Sequence, residues 1–291
     1  MNINPTKLFK YMCKNGHLED AQHILEVYPT IDISYNNEYA FRIACCCDHL
    51  QIAQWLYEMK PTLDISADDE SAFQFACQNG HLEVAQWLYQ VKPTINISAL
   101  NEYAFLVACG NGHLNVAQWL YEIKPTLDIS TANEYVFRKA CGNGHIQVAQ
   151  WLYQSKHTIN ISASNEYAFR TACKNGHLQV AQWLLTIKPT LNISADNEGA
   201  FRNACINGHL HVAQWIQSLN PNKLNKSNNV LYKEHINICP ICSETMCNIQ
   251  TACNHTFCET CIQTWFNSNK DTCPYCRTCL NNTVFQPIAT H

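Results

Sequence analysis

Apolar positions along the first three-quarters of the chain follow helical spacing, broken at regular intervals and resumed in the same order. Within residues 101–132, Ala104, Phe105, Ala108 and Cys109 fall at i, i+1, i+4 and i+5, which predicts a short helix with one apolar face. Gly112 follows and supplies the left-handed backbone that ends it. Leu114, Ala117, Leu120 and Tyr121 then mark a second helix, whose stripe Val116 and Trp119 widen beyond what one neighbour can cover. A helix apolar on two sides needs a partner on each, and stacked copies of one unit supply both. Lys124-Pro125-Thr126 stops this helix, and Asp128-Ile129-Ser130 opens an extended turn toward the next copy.

The pattern has a strict period. Asn-Gly-His recurs at 15–17, 79–81, 111–113, 143–145, 175–177 and 207–209, and Cys-Asp-His stands at 47–49, so seven copies are spaced by 32 residues. In step with them, Trp55, Trp87, Trp119, Trp151, Trp183 and Trp215 occupy one equivalent position, where the first copy has His23. A fixed period in this range is the mark of a solenoid. Helix, tight turn, helix and loop in 32 residues resemble the ankyrin repeat, and most of all the divergent arrays of giant viruses and some amoebae, which share the Gly-His-Leu and Gln-Trp-Leu pattern. The usual ankyrin Thr-Pro-Leu-His is replaced here by Tyr103-Ala104-Phe105-Leu106, so the start of the first helix must be capped differently. Asp48 in place of Gly implies a strained or shifted turn in the second copy, and Gln217 in the last copy marks a cap.

Periodic Cys13, Cys45, Cys77, Cys109, Cys141, Cys173 and Cys205 lie on the apolar face of the first helices. Ligands spread over successive units cannot converge on one ion, so these read as small core hydrophobes. The periodic His, from His17 to His209, read as structural residues beside the turn, and the Trp as core packing. Variation between copies is concentrated after the common Phe, at Arg42-Ile43, Gln74-Phe75, Leu106-Val107, Arg138-Lys139, Arg170-Thr171 and Arg202-Asn203, and at the loop tips Asn36, Asp68, Leu100, Ala132, Ser164 and Asp196. The ankyrin resemblance places these positions on the concave, protein-binding side. They are a target-binding surface, with Arg138, Lys139, Arg170 and Thr171 as candidates, or merely solvated positions.

Beyond a polar Asn/Lys-rich stretch the pattern changes completely. Cys239-Pro-Ile-Cys242, Cys253-Asn-His255, Cys258-Glu-Thr-Cys261 and Cys273-Pro-Tyr-Cys276 form four pairs with metal-ligand spacing. Seven Cys and one His are the eight soft donors that two closed tetrahedral zinc sites require, so the zinc is structural, with no open position for water or substrate. It substitutes for the core that so short a domain can hardly build. Three Cys, His in Cys-x-His, then four Cys resemble a RING finger. The resemblance implies interleaved sites, Cys239, Cys242, Cys258 and Cys261 on one ion and Cys253, His255, Cys273 and Cys276 on the other, with Cys247 and Cys279 outside both. It further implies that Ile241, Trp265 and Pro274 contact a ubiquitin-conjugating enzyme, and that Arg277 is the basic linchpin holding thioester-linked ubiquitin.

The expected fold is mostly α: an ankyrin solenoid over 1–221, a linker over 222–236, a small α+β RING domain over 237–280 and a tail over 281–291. Composition is consistent with this, since 47% apolar and 14% charged residues are enough to build a core. Residues 1–221 carry 14 Lys/Arg against 19 Asp/Glu and the remainder 5 against 4, so no basic stripe favours nucleic acid as a partner. No apolar run approaches a membrane span and Met1–Lys10 has no signal-peptide pattern, so a cytoplasmic protein is expected, in host cytoplasm if the chain is viral. The implied activity is RING-type E3 ubiquitin ligation. The array would recruit an unidentified protein target and the finger a charged conjugating enzyme, with no catalytic residue of its own in the covalent sense. The alternative is a non-catalytic adaptor with the same architecture.

Overall fold

The computed structural model describes residues 4–127, 129, 131–219, 249–250, 256–257, 259–267 and 286–287. The chain divides into two compact units, 1–163 and 164–291. The first holds five helix pairs: α1 (Pro5–Asn15) with α2 (Leu18–Val27), α3 (Tyr35–Cys46) with α4 (Leu50–Met59), α5 (Ala67–Asn79) with α6 (Leu82–Val91), α7 (Ala99–Gly110) with α8 (Leu114–Ile123), and α9 (Thr131–Gly142) with α10 (Ile146–Ser155). First helices pack on first helices in chain order, α1 on α3, α3 on α5, α5 on α7 and α7 on α9. The second unit holds two more pairs, α11 (Ala163–Lys174) with α12 (Leu178–Ile187) and α13 (Ala195–Ile206) with α14 (Leu210–Leu219). It also holds α15 (Glu259–Asn267) and three two-residue strands, β1 (Ile249–Gln250), β2 (Thr256–Phe257) and β3 (Gln286–Pro287). The expected boundary near residue 221 and the linker lie outside the described residues.

Burial follows the helical spacing read from the sequence. Ala104, Phe105, Ala108 and Cys109 are buried on α7, and Val116, Ala117 and Leu120 on α8. The Trp are half-buried and bind one copy to the next: Trp87 meets Phe41 and Tyr57 of the preceding copy at ring-centroid distances of 6.1 Å each, and Trp119 meets Phe73 at 6.1 Å and Tyr89 at 6.0 Å. The Tyr contacts are edge-on, the geometry that the ring quadrupoles favour. These aromatic pairs are the glue between repeats.

The tight turn after each first helix is positive in φ at Gly16, Gly80, Gly112, Gly144, Gly176 and Gly208. Asp48 adopts the same conformation, φ 64°, so the second copy keeps the turn unshifted and carries the backbone strain that a side chain brings there. At Gly112 a second constraint applies, because an added Cβ would lie 2.4 Å from Nδ1 of His145 in the next copy. The periodic His therefore covers the preceding turn, as a structural residue should. His49 Nε2–H donates to Lys14 O at 2.9 Å and His81 Nε2–H to Cys46 O at 3.0 Å. Asn79, Asn111 and Asn143 also reach back, donating to Cys46 O, Gln78 O and Gly110 O at 2.9, 2.8 and 2.6 Å.

The start of the first helices holds the feature that the sequence conceals. Inside α3, Asn36, Asn37 and Glu38 are left-handed, with φ of 61°, 54° and 59°, and the same occurs at 68–70, 100–102, 164–166 and 196–198. Residues assigned to loop tips thus lie in a left-handed turn leading into the helix. Each such residue costs roughly 1–2 kcal/mol unless polar contacts offset it. The contacts are present: Glu70, Glu134 and Glu166 accept through Oε1 from the amides of Asn96, Asn160 and Asn192 at 3.4, 3.2 and 3.3 Å. Ahead of the turn, Ser66 N–H bonds Asp64 Oδ1 at 3.0 Å and Ser98 N–H bonds Asn96 Oδ1 at 3.1 Å. Capping there is an Asx turn and no side chain of the Ser caps the helix at Ser34, Ser66, Ser98 or Ser194, which is how the departure from Thr-Pro-Leu-His is resolved.

Candidate functional site: the repeat face and the cysteine-rich finger

The seven periodic thiols are buried and chemically quiet. Burial pushes Cys13 up to about 12 and Cys205 up to about 11, and lifts Cys45, Cys77, Cys109, Cys141 and Cys173 well above the ordinary thiol range. A thiol held protonated is neither nucleophile nor metal ligand. Desolvation also lowers His113, His177 and His209 below the usual imidazole value, which favours the neutral ring that covers the turn.

On the face formed by the first helices, the structure separates residues that hold the fold from residues left open. Arg42 donates through Nε to Asn37 O at 2.6 Å and through Nη2 to Asn36 O at 3.2 Å, closing its own left-handed turn. Its Nη1 pairs with Asp68 of the next copy at 2.7 Å. Arg170 repeats this arrangement with Asn165 O at 2.8 Å and Asp196 at 2.5 Å. Gln74 donates to Asp69 O at 2.8 Å and does the same work without a charge. Of the target-binding candidates, Arg170 is thus engaged inside the array, Thr171 Oγ1 donates to Tyr167 O at 2.8 Å, the Arg138 guanidinium lies 6.0 Å from the Tyr135 ring centroid, and Lys139 is exposed. The scaffolding role of the Arg was missed at the sequence level, although a signal existed. Arg before Asp across a repeat boundary occurs at 42/68 and 170/196, while the neutral pair Gln74/Leu100 and the apolar pair Leu106/Ala132 lack both charges together.

In the cysteine-rich region, β1 pairs antiparallel with β2, Ile249 opposite Phe257, and with β3, Ile249 opposite Pro287. The order is β2-β1-β3, so Gln286–Pro287, expected to lie in a tail, belongs to this small sheet. β2 ends at Phe257, just before Cys258, and α15 begins at Glu259 just after it. On α15, Ile262 is buried, while Cys261 and Trp265, one helical turn apart, are half-buried. Cys239, Cys242, Cys253, His255, Cys258, Cys273 and Cys276 lie outside the described residues, as do Ile241, Pro274 and Arg277.

Comparison with known families bears on both regions. Residues 9–101 and 137–185 match models of ankyrin repeats, and residues 239–276 match the zinc finger of C3HC4 type, the RING finger. That last match runs from the first to the last of the eight paired donors. The chain joins ankyrin repeats to a C-terminal RING finger.

Curated relatives, among them the following two, resemble it over the RING region. E3 ubiquitin-protein ligase RNFT1 of Xenopus tropicalis is 50% identical over 46 residues, 16% of this chain and 11% of that protein. E3 ubiquitin-protein ligase RNF125 of Homo sapiens is 48% identical over 40 residues, 13% of this chain and 17% of that protein. The chain thus spans well under a fifth of the length of these relatives. The RING finger implies zinc, and the donor set fits it: thiolates and one imidazole, in pairs one or two residues apart, suit a tetrahedral borderline-soft cation. Among the described residues no helix is long and apolar enough to cross a membrane.

Proposed function

We propose that the chain is a RING-type E3 ubiquitin-protein ligase in which an ankyrin array, residues 1–221, recruits a protein target. A RING domain over 237–280, held after a linker over 222–236, recruits a ubiquitin-charged conjugating enzyme. The observation that carries this reading is the C3HC4 match over 239–276, combined with similarity of that segment to two E3 ligases. Two zinc ions are bound in the interleaved arrangement, Cys239, Cys242, Cys258 and Cys261 on one and Cys253, His255, Cys273 and Cys276 on the other. Their role is to fix the backbone of the finger. Ile241, Trp265 and Pro274 form the docking surface for the conjugating enzyme, with Trp265 half-buried on α15.

No residue of this chain bonds covalently to ubiquitin in this scheme. Arg277 orients the thioester-linked ubiquitin so that a target lysine amine attacks the thioester carbonyl, and the gain comes from orientation and proximity. The linker converts transfer into a local event at a raised effective concentration of charged enzyme near bound target.

The deciding test is single-turnover discharge of preloaded conjugating enzymes onto free lysine, with docking measured in parallel. Wild type accelerates discharge with at least one conjugating enzyme. Ile241→Ala weakens docking, because few residues carry the energy of such a small interface. Arg277→Ala leaves docking near wild type and slows discharge. Absence of acceleration across a broad enzyme panel, or wild-type rates in both variants, would replace the ligase with a non-catalytic adaptor.

A further inference from the structure

On the first-helix face of residues 1–163 one row of positions is apolar, flanked by the Arg42–Asp68 pair and the exposed Asp69. The position two residues after the common Phe is Tyr11, Ile43, Phe75, Val107 and Lys139 on α1, α3, α5, α7 and α9, which pack side by side in that order. Tyr11 is 58% exposed and Phe75 36%, and Ile43 and Val107 are half-buried, so the row is open to solvent although apolar. Leu100 extends it: 59% exposed, it stands in the left-handed turn of α7, where other copies carry Asn, Asp, Ala or Ser. A left-handed Leu exposed to water is unfavourable on both backbone and hydration grounds. In the same copy Leu106 replaces the Arg that elsewhere closes the turn.

The ends of this strip are basic. Lys10 on α1 is half-buried and places its Nζ 4.1 Å from the Tyr35 ring centroid and 5.1 Å from that of Tyr39, the geometry of a cation over two aromatic faces. At the other end, on α9, Lys139 is exposed. Between them, Arg42 is held in an ion pair with Asp68 at 2.7 Å.

Resting on the reading of the array as a recruiter of protein targets, we propose that this strip binds a protein segment with an apolar centre and carboxylates at both ends. The apolar side chains cover Phe75, Val107 and Leu100, and Asp or Glu residues at the two ends meet Lys10 and Lys139. Complementary end charges fix the register of the segment, while the apolar centre supplies most of the affinity.

Selection of a randomised twelve-residue phage-displayed library on the immobilised full chain tests this directly. The expected result is enrichment of peptides with two or more large apolar residues in the centre and Asp or Glu toward both ends. Titrated as labelled synthetic peptides, these bind Phe75→Asp at least about tenfold more weakly than wild type, with an unchanged melting curve of the variant. Lys139→Glu, at an exposed site with no role in packing, weakens them about threefold and improves a peptide with Lys at that end. Tyr28→Asp, exposed at the end of α2, leaves binding unchanged. No enrichment, enrichment of basic-ended peptides, or binding indifferent to both Phe75→Asp and Lys139→Glu overturns the proposal. So does self-association of wild type that Phe75→Asp abolishes, since a second copy would then occupy the strip. No conjugating enzyme enters the measurement, so a failed selection leaves ubiquitin discharge standing, and an inactive finger leaves the selection intact.

Discussion

The two regions of this chain meet the same difficulty, a short unit that cannot bury enough apolar surface alone, by opposite means. A repeat of 32 residues borrows its neighbour: Phe41 and Tyr57 pack on Trp87, Asn79 and His81 reach back to Cys46 O, and Arg42 reaches forward to Asp68. The RING finger instead implies a metal, with its eight paired donors spread over residues 239 to 276. In the array an error is local and graded, because each interface contributes separately. In the finger an error is total, because loss of one ligand removes the cross-link that stands in for a core. Cysteine shows the contrast in a single residue type: protonated and inert on the first helices, and in the finger needed as thiolate.

The largest effect that this contrast predicts is therefore in the finger. Chelation of the purified chain, or Cys258→Ser, should abolish docking and ubiquitin discharge while the helical circular dichroism of the array persists. Elemental analysis should give two zinc ions per untreated chain, and a count of one or zero would break the assignment of interleaved sites.

Graded losses should follow in the array. Trp119→Ala should lower stability by about 3–5 kcal/mol in denaturant titration, because Phe73 and Tyr89 both lose their partner. Trp215→Ala should cost less, since Trp215 packs on Phe169 but the position of the edge-on Tyr is Leu185. Equal costs would count against repeat-by-repeat stability.

Smaller again is the turn. Gly112→Ala should cost about 3 kcal/mol, combining the left-handed backbone with the clash at the His145 ring. Gly208→Ala meets nothing within 4 Å and should cost only the roughly 1–2 kcal/mol of the backbone. Thermal melts of the two variants separate these contributions.

The smallest effect is pH dependence. The lowered imidazole values of His113, His177 and His209 mean that the unfolded chain binds protons more readily than the folded one just below the ordinary His value of 6.5. Stability from these groups is complete above that value and declines as pH falls through it. A urea midpoint for the helical signal that is lower at pH 5.5 than at pH 7.5 is expected, and the reverse would reject the neutral-ring role.

Much of this could be read from the sequence, because periodicity reports which side chains are buried. The helix pairs, the buried Cys, the Gly turns and the order of the finger's donors were all visible in residue type and spacing alone. Backbone hand was not. The Asn or Asp in the middle of each turn, Asn37, Asp69, Asn101, Asn165 and Asn197, tolerates that hand, but the Leu100 and Glu102 that flank it carry no preference for it, and the stabilising contacts come from residues some five to twenty-six positions away. Arg42 and Arg170 looked like free surface charges for the same reason: their partners become neighbours only once the turn has formed. Asp48 lay between these extremes, since its departure from Gly was plain in the sequence but its unshifted turn, φ 64°, was not.

The Arg–Asp pair between copies also bears on how such an array can grow. A segment cut to match a visible helix pair, from Tyr35 to Ser66, carries Arg42 but leaves Asp68 behind in the next piece. A segment of equal length cut from Asn37 to Asp68 keeps donor and acceptor together. Recombination in the second phase can insert or delete copies and restore the ion pair at every new junction, whereas recombination in the first phase depends on what happens to follow. The heritable module is offset from the structural one, and arrays built by tandem duplication should bear seams near the left-handed turn.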